Sequence, residues 1–370
     1  MRRRAIFAIG LLAGACTRFP VIPPGSYKPL QAIHLSQDNR HFVAGDSQSR
    51  FVAWGFNYDH DEKGRLIEDY WGSEWAKVER DFKEMKSLGA NVVRIHLQVA
   101  RFMKSADEPD HNNLLHLSRL IKLAESTGLY LDLTGLACYR KPDVPKWYSS
   151  LDEVHRWEAQ CNFWKAIAGV CKNSPAIFCY DLMNEPIIGG GDQKDDWLPG
   201  PPLGGFSYVQ RLSIDVHGRS DKQIAKAWIA KLSAAVRSVD NRHLITVGVI
   251  PWVQVFKGGS DLFYSAEVSG PLDFASIHFY PNAVPIEESL KYLRAYEIGK
   301  PLVIEEIYPL NAGIDKTADF IKASRAEVDG YVSFYWGETI EQNKQKNNVA
   351  GAMQSEWLEK MKEFAPAKGK

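Results

Sequence analysis

The sequence predicts an α/β fold: a single (β/α)8 barrel with a short N-terminal β-hairpin. Three observations predict it. Eight short apolar, strand-like runs alternate with helix-like stretches, the pattern of a parallel sheet with helical crossovers. A length of 370 residues suits one such barrel. The chemistry-bearing residues cluster at the C-terminal ends of the apolar runs, where a barrel of eight strands places its active site.

The elements follow in order. Arg2-Arg3-Arg4 and the apolar stretch Ala5 to Ala15 read as an export signal, too short for a membrane span. Ala13-Gly14-Ala15 stands directly before Cys16, a small-residue cleavage site before a cysteine like that of bacterial lipoproteins. Residues 1–16 are therefore expected to be a signal. The product is either lipid-anchored through Cys16 or cleaved and secreted. Residues 17–40 carry Pro20, Pro23, Pro24 and Pro29 and no periodicity, which predicts a tether, with the catalytic domain over 41–370. His41-Phe42-Val43 and Phe51-Val52-Ala53-Trp54, separated by Gly45-Asp46-Ser47, predict the hairpin that leads into the first strand.

Barrel strands are expected near 51–57, 91–97, 129–134, 176–183, 244–249, 273–279, 301–306 and 331–336. Helices are expected near 74–88, 113–127, 151–172, 221–238, 286–297, 316–328 and 353–364. Ser150-Leu151-Asp152-Glu153 and Ser220-Asp221-Lys222-Gln223 fit capping boxes, and Leu88-Gly89 fits a C-terminal stop. One segment breaks the rhythm. From Ile187 to Arg219 the chain is rich in Gly and Pro, and so long a loop inside a compact domain points to function. Its acids Asp192, Asp195 and Asp196 read as a solvated loop in preference to a cation site.

Charge is balanced, 45 basic against 45 acidic residues, so nothing beyond the extreme N-terminus suggests a nucleic-acid partner. The 11 Trp residues suit a protein that stacks on sugar rings, although most are expected in the core. Cys138, Cys161, Cys171 and Cys179 show no metal-ligand spacing and read as small packing residues.

The chemistry rests on two strand ends. Ile177 to Met183 runs into Asn184-Glu185-Pro186, and Pro301 to Ile304 runs into Glu305-Glu306. Cleaving a glycosidic bond needs such a pair of carboxyls, one protonated to assist the leaving oxygen and one ionised to attack or to activate water. Alternation along a strand sends Glu305 and Glu306 to opposite sides, so only one can face the cleft.

With Asn91-Val92-Val93-Arg94, Asn184-Glu185-Pro186, His278-Phe279-Tyr280-Pro281, Pro301 to Glu306 and Trp336 in order on successive strands, residues 42–365 resemble glycoside hydrolase family 5 of clan A, relatives of cellulases and β-mannanases. The resemblance implies Glu185 as acid/base and, five residues after Pro301, Glu306 as nucleophile, with Glu305 the adjacent candidate. It implies that Asn184 binds the sugar 2-hydroxyl, that Arg94 and Tyr280 hold the nucleophile, that His278 steadies the acid/base or the sugar, and that Trp336 forms the floor under the sugar ring. Trp252, after the fifth strand, is a candidate for the leaving-group subsite. His96 is either a site residue or a barrel residue. Tyr58, Asp59, His60 and Asp61 either line distal subsites or face water. The third strand, Leu131-Asp132-Leu133-Thr134-Gly135, lacks the His of many cellulase-like members, and the wording of strands one and six is nearer to mannanases.

The expectation is a retaining hydrolase of β-linked polysaccharide of mannan or glucan type. It is expected to be exported, to act as a monomer, to use no metal or organic cofactor, and to touch a membrane only through a lipid on Cys16. Its alternatives are an exo-acting glycosidase or transglycosylase on the same scaffold, or a non-catalytic carbohydrate-binding lipoprotein.

Overall fold

A computed structural model describes residues 29–47, 49–189, 196–256 and 259–366. The expected signal at 1–16 lies outside them. Eight parallel strands form the barrel: β1 Ala53–Tyr58, β2 Val92–Gln98, β3 Tyr130–Ala137, β4 Ile177–Asp181, β5 Leu244–Val249, β6 Ala275–His278, β7 Leu302–Ile307 and β8 Gly330–Ser333. Closure runs through β5, which is interrupted at Val247. Its first half, Leu244–Thr246, pairs with β4, and its second half, Gly248–Val249, pairs with β6. Outside the strands lie α1 Trp75–Ser87, α2 His111–Thr127, α3 Glu153–Cys171, α4 Asp221–Arg237, α5 Ile286–Arg294, α6 Ile314–Ser324 and α7 Val349–Phe364. The strands are buried on both faces, as a sheet wrapped in helices requires, and so read as continuous apolar runs.

Helix boundaries follow local chemistry. Ser220 and Gln223 form the expected capping box on α4. Gly89, at φ +91°, ends the α1 turn where a side chain would be strained. The cap of α3 differs from expectation. Asp152 accepts from the His155 amide, whereas Ser150 closes the short helix Lys146–Ser149 and bonds back to Trp147. A short helix over Ile340–Gln345, capped by Thr339, was not legible in the sequence.

The N-terminal end of the barrel is plugged. The expected hairpin pairs Phe42–Ala44 with Ser49–Phe51, and a third strand, Ile33–Leu35, joins it. The expected tether therefore ends before residue 33, because Ile33 is buried in this sheet. Phe42 meets Phe178 and Phe274 edge-on at 5.1 Å, filling the space beneath β4 and β6. That leaves the C-terminal end as the open face.

Candidate active site

Glu306, near the end of β7, and Glu185, past the end of β4, meet at the open face. One oxygen of each, with a ring nitrogen of His278, lies within 4.8 Å of the others. The Glu306 side chain is 6% exposed and that of Glu185 is 17% exposed. Glu306 accepts from Arg94 Nη1 at 2.7 Å on one oxygen and from Tyr280 Oη at 2.6 Å on the other. Glu185 sits at φ +46°, past the end of β4, and its Oε1 is 2.9 Å from His278 Nδ1. Asn184 accepts from Arg94 through Oδ1 at 2.9 Å and donates through Nδ2 to the Tyr208 carbonyl at 3.1 Å. Five sequence-predicted residues, Arg94, Asn184, Glu185, His278 and Tyr280, thus converge on Glu306.

The neighbouring glutamates separate by depth and not by face. Between Ile304 and Ile307 three steps along β7 match two along β8, from Tyr331 to Ser333, so β7 carries an extra residue there. The irregularity defeats strict alternation. Glu305 points into the barrel interior, fully buried, with Oε2 3.6 Å from Arg94 and 3.7 Å from His278. Glu306 stands at the rim. Of the two, only Glu306 lines the cleft.

Electrostatics follow from this layering. Burial alone disfavours charge on Arg94, but Glu305, Asp181 and Glu306 surround it and hold it cationic. Burial pulls the His278 imidazole down, yet Glu306, Glu185 and Glu305 outweigh it and raise the ring to about 10. The ring is therefore an imidazolium at neutral pH and donates to Glu185. Burial pushes Glu306 up from the ordinary range, and His278 and Arg94 oppose that push. Beneath it, burial would raise Glu305, but Arg94, His278 and the adjoining Asp132 bring it down to about 2. Asp132 is driven well up by burial and by the Glu305 charge.

Residues the sequence reading missed complete the support. Asn57 accepts from Arg94 Nη1 at 2.8 Å and donates to the Glu305 carbonyl at 2.9 Å. Asp181 takes Arg94 Nη2 at 2.7 Å, Thr134 Oγ1 at 2.8 Å and the Gly248 amide at 2.8 Å. At Gly248 a Cβ would lie 2.5 Å from Glu305 Oε2 and 2.6 Å from His278 Nε2, so the strand must be bare there. His96 is a barrel residue, bonded to Tyr139 and, at 3.1 Å, to Asn57.

Trp336 is a correction. Its side chain is wholly buried against Phe56, so it offers no face to a sugar. β8 ends at Ser333, and Phe334 and Tyr335 line the cleft in its place. At and after the end of β1, Tyr58 donates to Asp81, Asp59 meets His60 at 2.7 Å, and Asp61 binds Arg65; none of the four is in the lining of the cleft around Glu185 and Glu306, whereas Glu62 is. Trp252 is half-buried after β5, stacked on Phe256 with ring centroids 5.4 Å apart. In the acidic loop, Asp192 and Asp195 lie outside the described residues, and Asp196 pairs with Lys141 at 2.7 Å. Cys138, Cys161, Cys171 and Cys179 are buried free thiols, as a packing role requires.

Residues 55–363 match the model of a family described as cellulase (glycosyl hydrolase family 5). The chain belongs to that family. It is 21% identical over 268 residues to mannan endo-1,4-beta-mannosidase A of Podospora anserina, covering 64% of this chain and 63% of that protein. It is 29% identical over 140 residues to mannan endo-1,4-beta-mannosidase 2 of Arabidopsis thaliana, covering 33% of this chain and 26% of that one. The chain thus spans less than two thirds of these curated relatives. Among solved structures, it resembles an exo-beta-1,4-mannosidase from Opitutaceae bacterium strain TAV5, with a TM-score of 0.65 and 19% identity over 90% of this chain and 62% of that one. A beta-1,4-D-mannanase from Cryptopygus antarcticus gives a TM-score of 0.62 and 16% identity over 90% and 95%. These likenesses establish the barrel fold of family 5.

Proposed function

We propose that the protein is a retaining glycosidase of β-linked polysaccharide, with mannan as its substrate. The observation that carries the reading is the close approach of the Glu185 and Glu306 carboxyls, His278 Nδ1 lying 2.9 Å from an oxygen of one and 3.5 Å from an oxygen of the other, with different partners on each. Inverting sites hold their carboxyls about 6.5–9.5 Å apart to admit a water, whereas retaining sites keep them near 5 Å. Glu306 takes a donor on each oxygen, which favours the ionised nucleophile. Glu185 takes one donor, from His278, and keeps an oxygen for the proton.

In the first step the Glu306 carboxylate attacks the anomeric carbon while Glu185 gives its proton to the departing oxygen. The glycosidic bond breaks as the glycosyl–Glu306 ester forms. In the second step Glu185, now a carboxylate, takes a proton from water. The resulting hydroxide equivalent attacks the same carbon and releases Glu306. Asn184, fixed between Arg94 and Tyr208, stands where it can bind the 2-hydroxyl. Phe334 and Tyr335 offer the aromatic surface under the sugar, and Trp252 is retained for the leaving-group side. Mannan is favoured by the names of the relatives.

The test is turnover on linear β-1,4-mannan, cellulose, xyloglucan and mixed-linkage glucan, with proton NMR of the first product. Mannan should be cleaved fastest, and the product should keep the β configuration. An α first product would overturn the double displacement, and preference for a glucan would overturn the sugar assignment.

A further inference from the structure

Resting on that reading, we propose that the enzyme removes short units from the non-reducing end of its chain, because a wall built by residues 203–208 closes the cleft on one side. The segment after β4 crosses the barrel mouth. Phe206 stacks on His60 with ring centroids 4.9 Å apart, and His60 lies tilted against Tyr335 at 4.1 Å. Tyr208 packs edge-on to Tyr139, which follows β3, at 4.8 Å, and its hydroxyl donates to Asp59 after β1 at 3.2 Å. The Ser207 amide donates to the Tyr139 carbonyl at 2.7 Å. One stretch of chain is thereby fastened to the ends of β1 and β3 and to the segment after β8.

The consequence shows in what it covers. Asp59, His96, Gln98 and Tyr139, at or just past the ends of β1, β2 and β3, are all buried. Among the described residues, that sector of the mouth is covered. What remains is a pocket of about 440 Å³, with Leu203 and Glu62 in its lining beside Glu185 and Glu306. That volume falls in the range of a small-molecule site, about 300–1,000 Å³.

The catalytic residues orient it. The sugar under attack must rest on Glu306 and Asn184, which line the pocket. The leaving group departs on the side of Glu185, which protonates its oxygen, while the wall is tied to Asn184, the amide that meets the attacked sugar, through the Tyr208 carbonyl. The walled side is therefore the side of the sugars preceding the bond, and a chain can enter it only by its non-reducing end.

The experiment uses the full chain and linear β-1,4-mannohexaose labelled at its reducing end, sampled at the first few per cent of conversion. One unlabelled product size, with one matching shortened labelled fragment, is expected. Labelled fragments of several lengths from the earliest sample would overturn the proposal while leaving the glycosidase reading intact. Absence of turnover on this and on aryl β-glycosides would overturn both. In the L203G/F206A variant, checked as folded by its thermal transition, several fragment lengths should appear, with at least a tenfold gain in internal relative to terminal cleavage. A folded variant with the single-size pattern unchanged would show that the segment does not set the mode.

Discussion

Arg94 joins the two carboxylate layers of this site, and the residue-scale predictions follow from which layer a substitution touches. E306Q removes the group that attacks, so turnover should fall by at least about 10³-fold with the thermal transition little changed. E305Q acts differently. Glu305 is wholly buried between Arg94 and His278, so neutralising it leaves two cations with one fewer anion. Breaking such an arrangement costs about 3–5 kcal/mol, which a urea titration would detect as a lowered midpoint. A 2-fluoro glycoside should still label Glu306, and labelling at Glu305 would reverse the assignment. His278 gives the pH dependence. Its folded value is raised from 6.5 to about 10, so its contribution to stability is full below about 6.5 and is lost as pH rises through about 10. The gap in urea midpoint between the native protein and H278N should therefore close between pH 7 and pH 10.5. At this scale the sequence was legible where residues end strands. Asn184-Glu185, Arg94 and Tyr280 announce themselves because polar groups interrupt apolar runs. Asn57 and Asp181 did not, because their partners, though mostly on neighbouring strands, lie far away along the chain. Trp336 misled because alternation stops at Ser333, after which the turn, and not the strand, decides which ring faces the cleft.

Among the elements, β5 is the one whose details the sequence hid. The run Leu244 to Val249 reads as one strand, yet it switches partners at Val247, and Gly248 is bare because Glu305 and His278 occupy the space of its side chain. G248A tests this directly. A methyl group 2.5 Å from Glu305 Oε2 forces the buried cluster to move, and overpacking of this kind costs about 1–3 kcal/mol. The expected outcome is a lowered urea midpoint together with a lower kcat, since the same atoms position Glu185 and Glu306. An unchanged kcat would mean that the cluster can shift without disturbing the rim. The extra residue in β7 belongs to the same scale. Composition predicts the strand, but register depends on how β7 meets both neighbours, which no local pattern encodes. The α4 capping box, by contrast, was legible because it is complete within four residues.

For the whole molecule, alternation of strands and helices was enough to read the barrel, because each crossover is local and the eight-strand count closes the sheet. The lower boundary of the domain was not legible, since Ile33–Leu35 has no partner nearby except through the turn that follows it. The structure makes the boundary testable. Ile33 is 1% exposed beneath the barrel, and the Tyr130 hydroxyl donates to the Gln31 carbonyl at 2.7 Å. A chain starting at residue 41 loses both, and leaves Phe42–Ala44, still paired to Ser49–Phe51, as an edge strand under the barrel. Exposing an isoleucine of this kind costs about 1.5–3 kcal/mol before the ladder bonds are counted. A chain starting at residue 29 should therefore unfold at higher urea than one starting at 41. The kcat values of the two should agree at a temperature where both are folded, because the plug lies at the opposite end of the barrel from Glu185 and Glu306. Equal urea midpoints would return residues 29–40 to the role of a tether. A lower kcat for the shorter chain, with both folded, would instead mean that the plug sets the spacing of the strands that carry the two carboxylates.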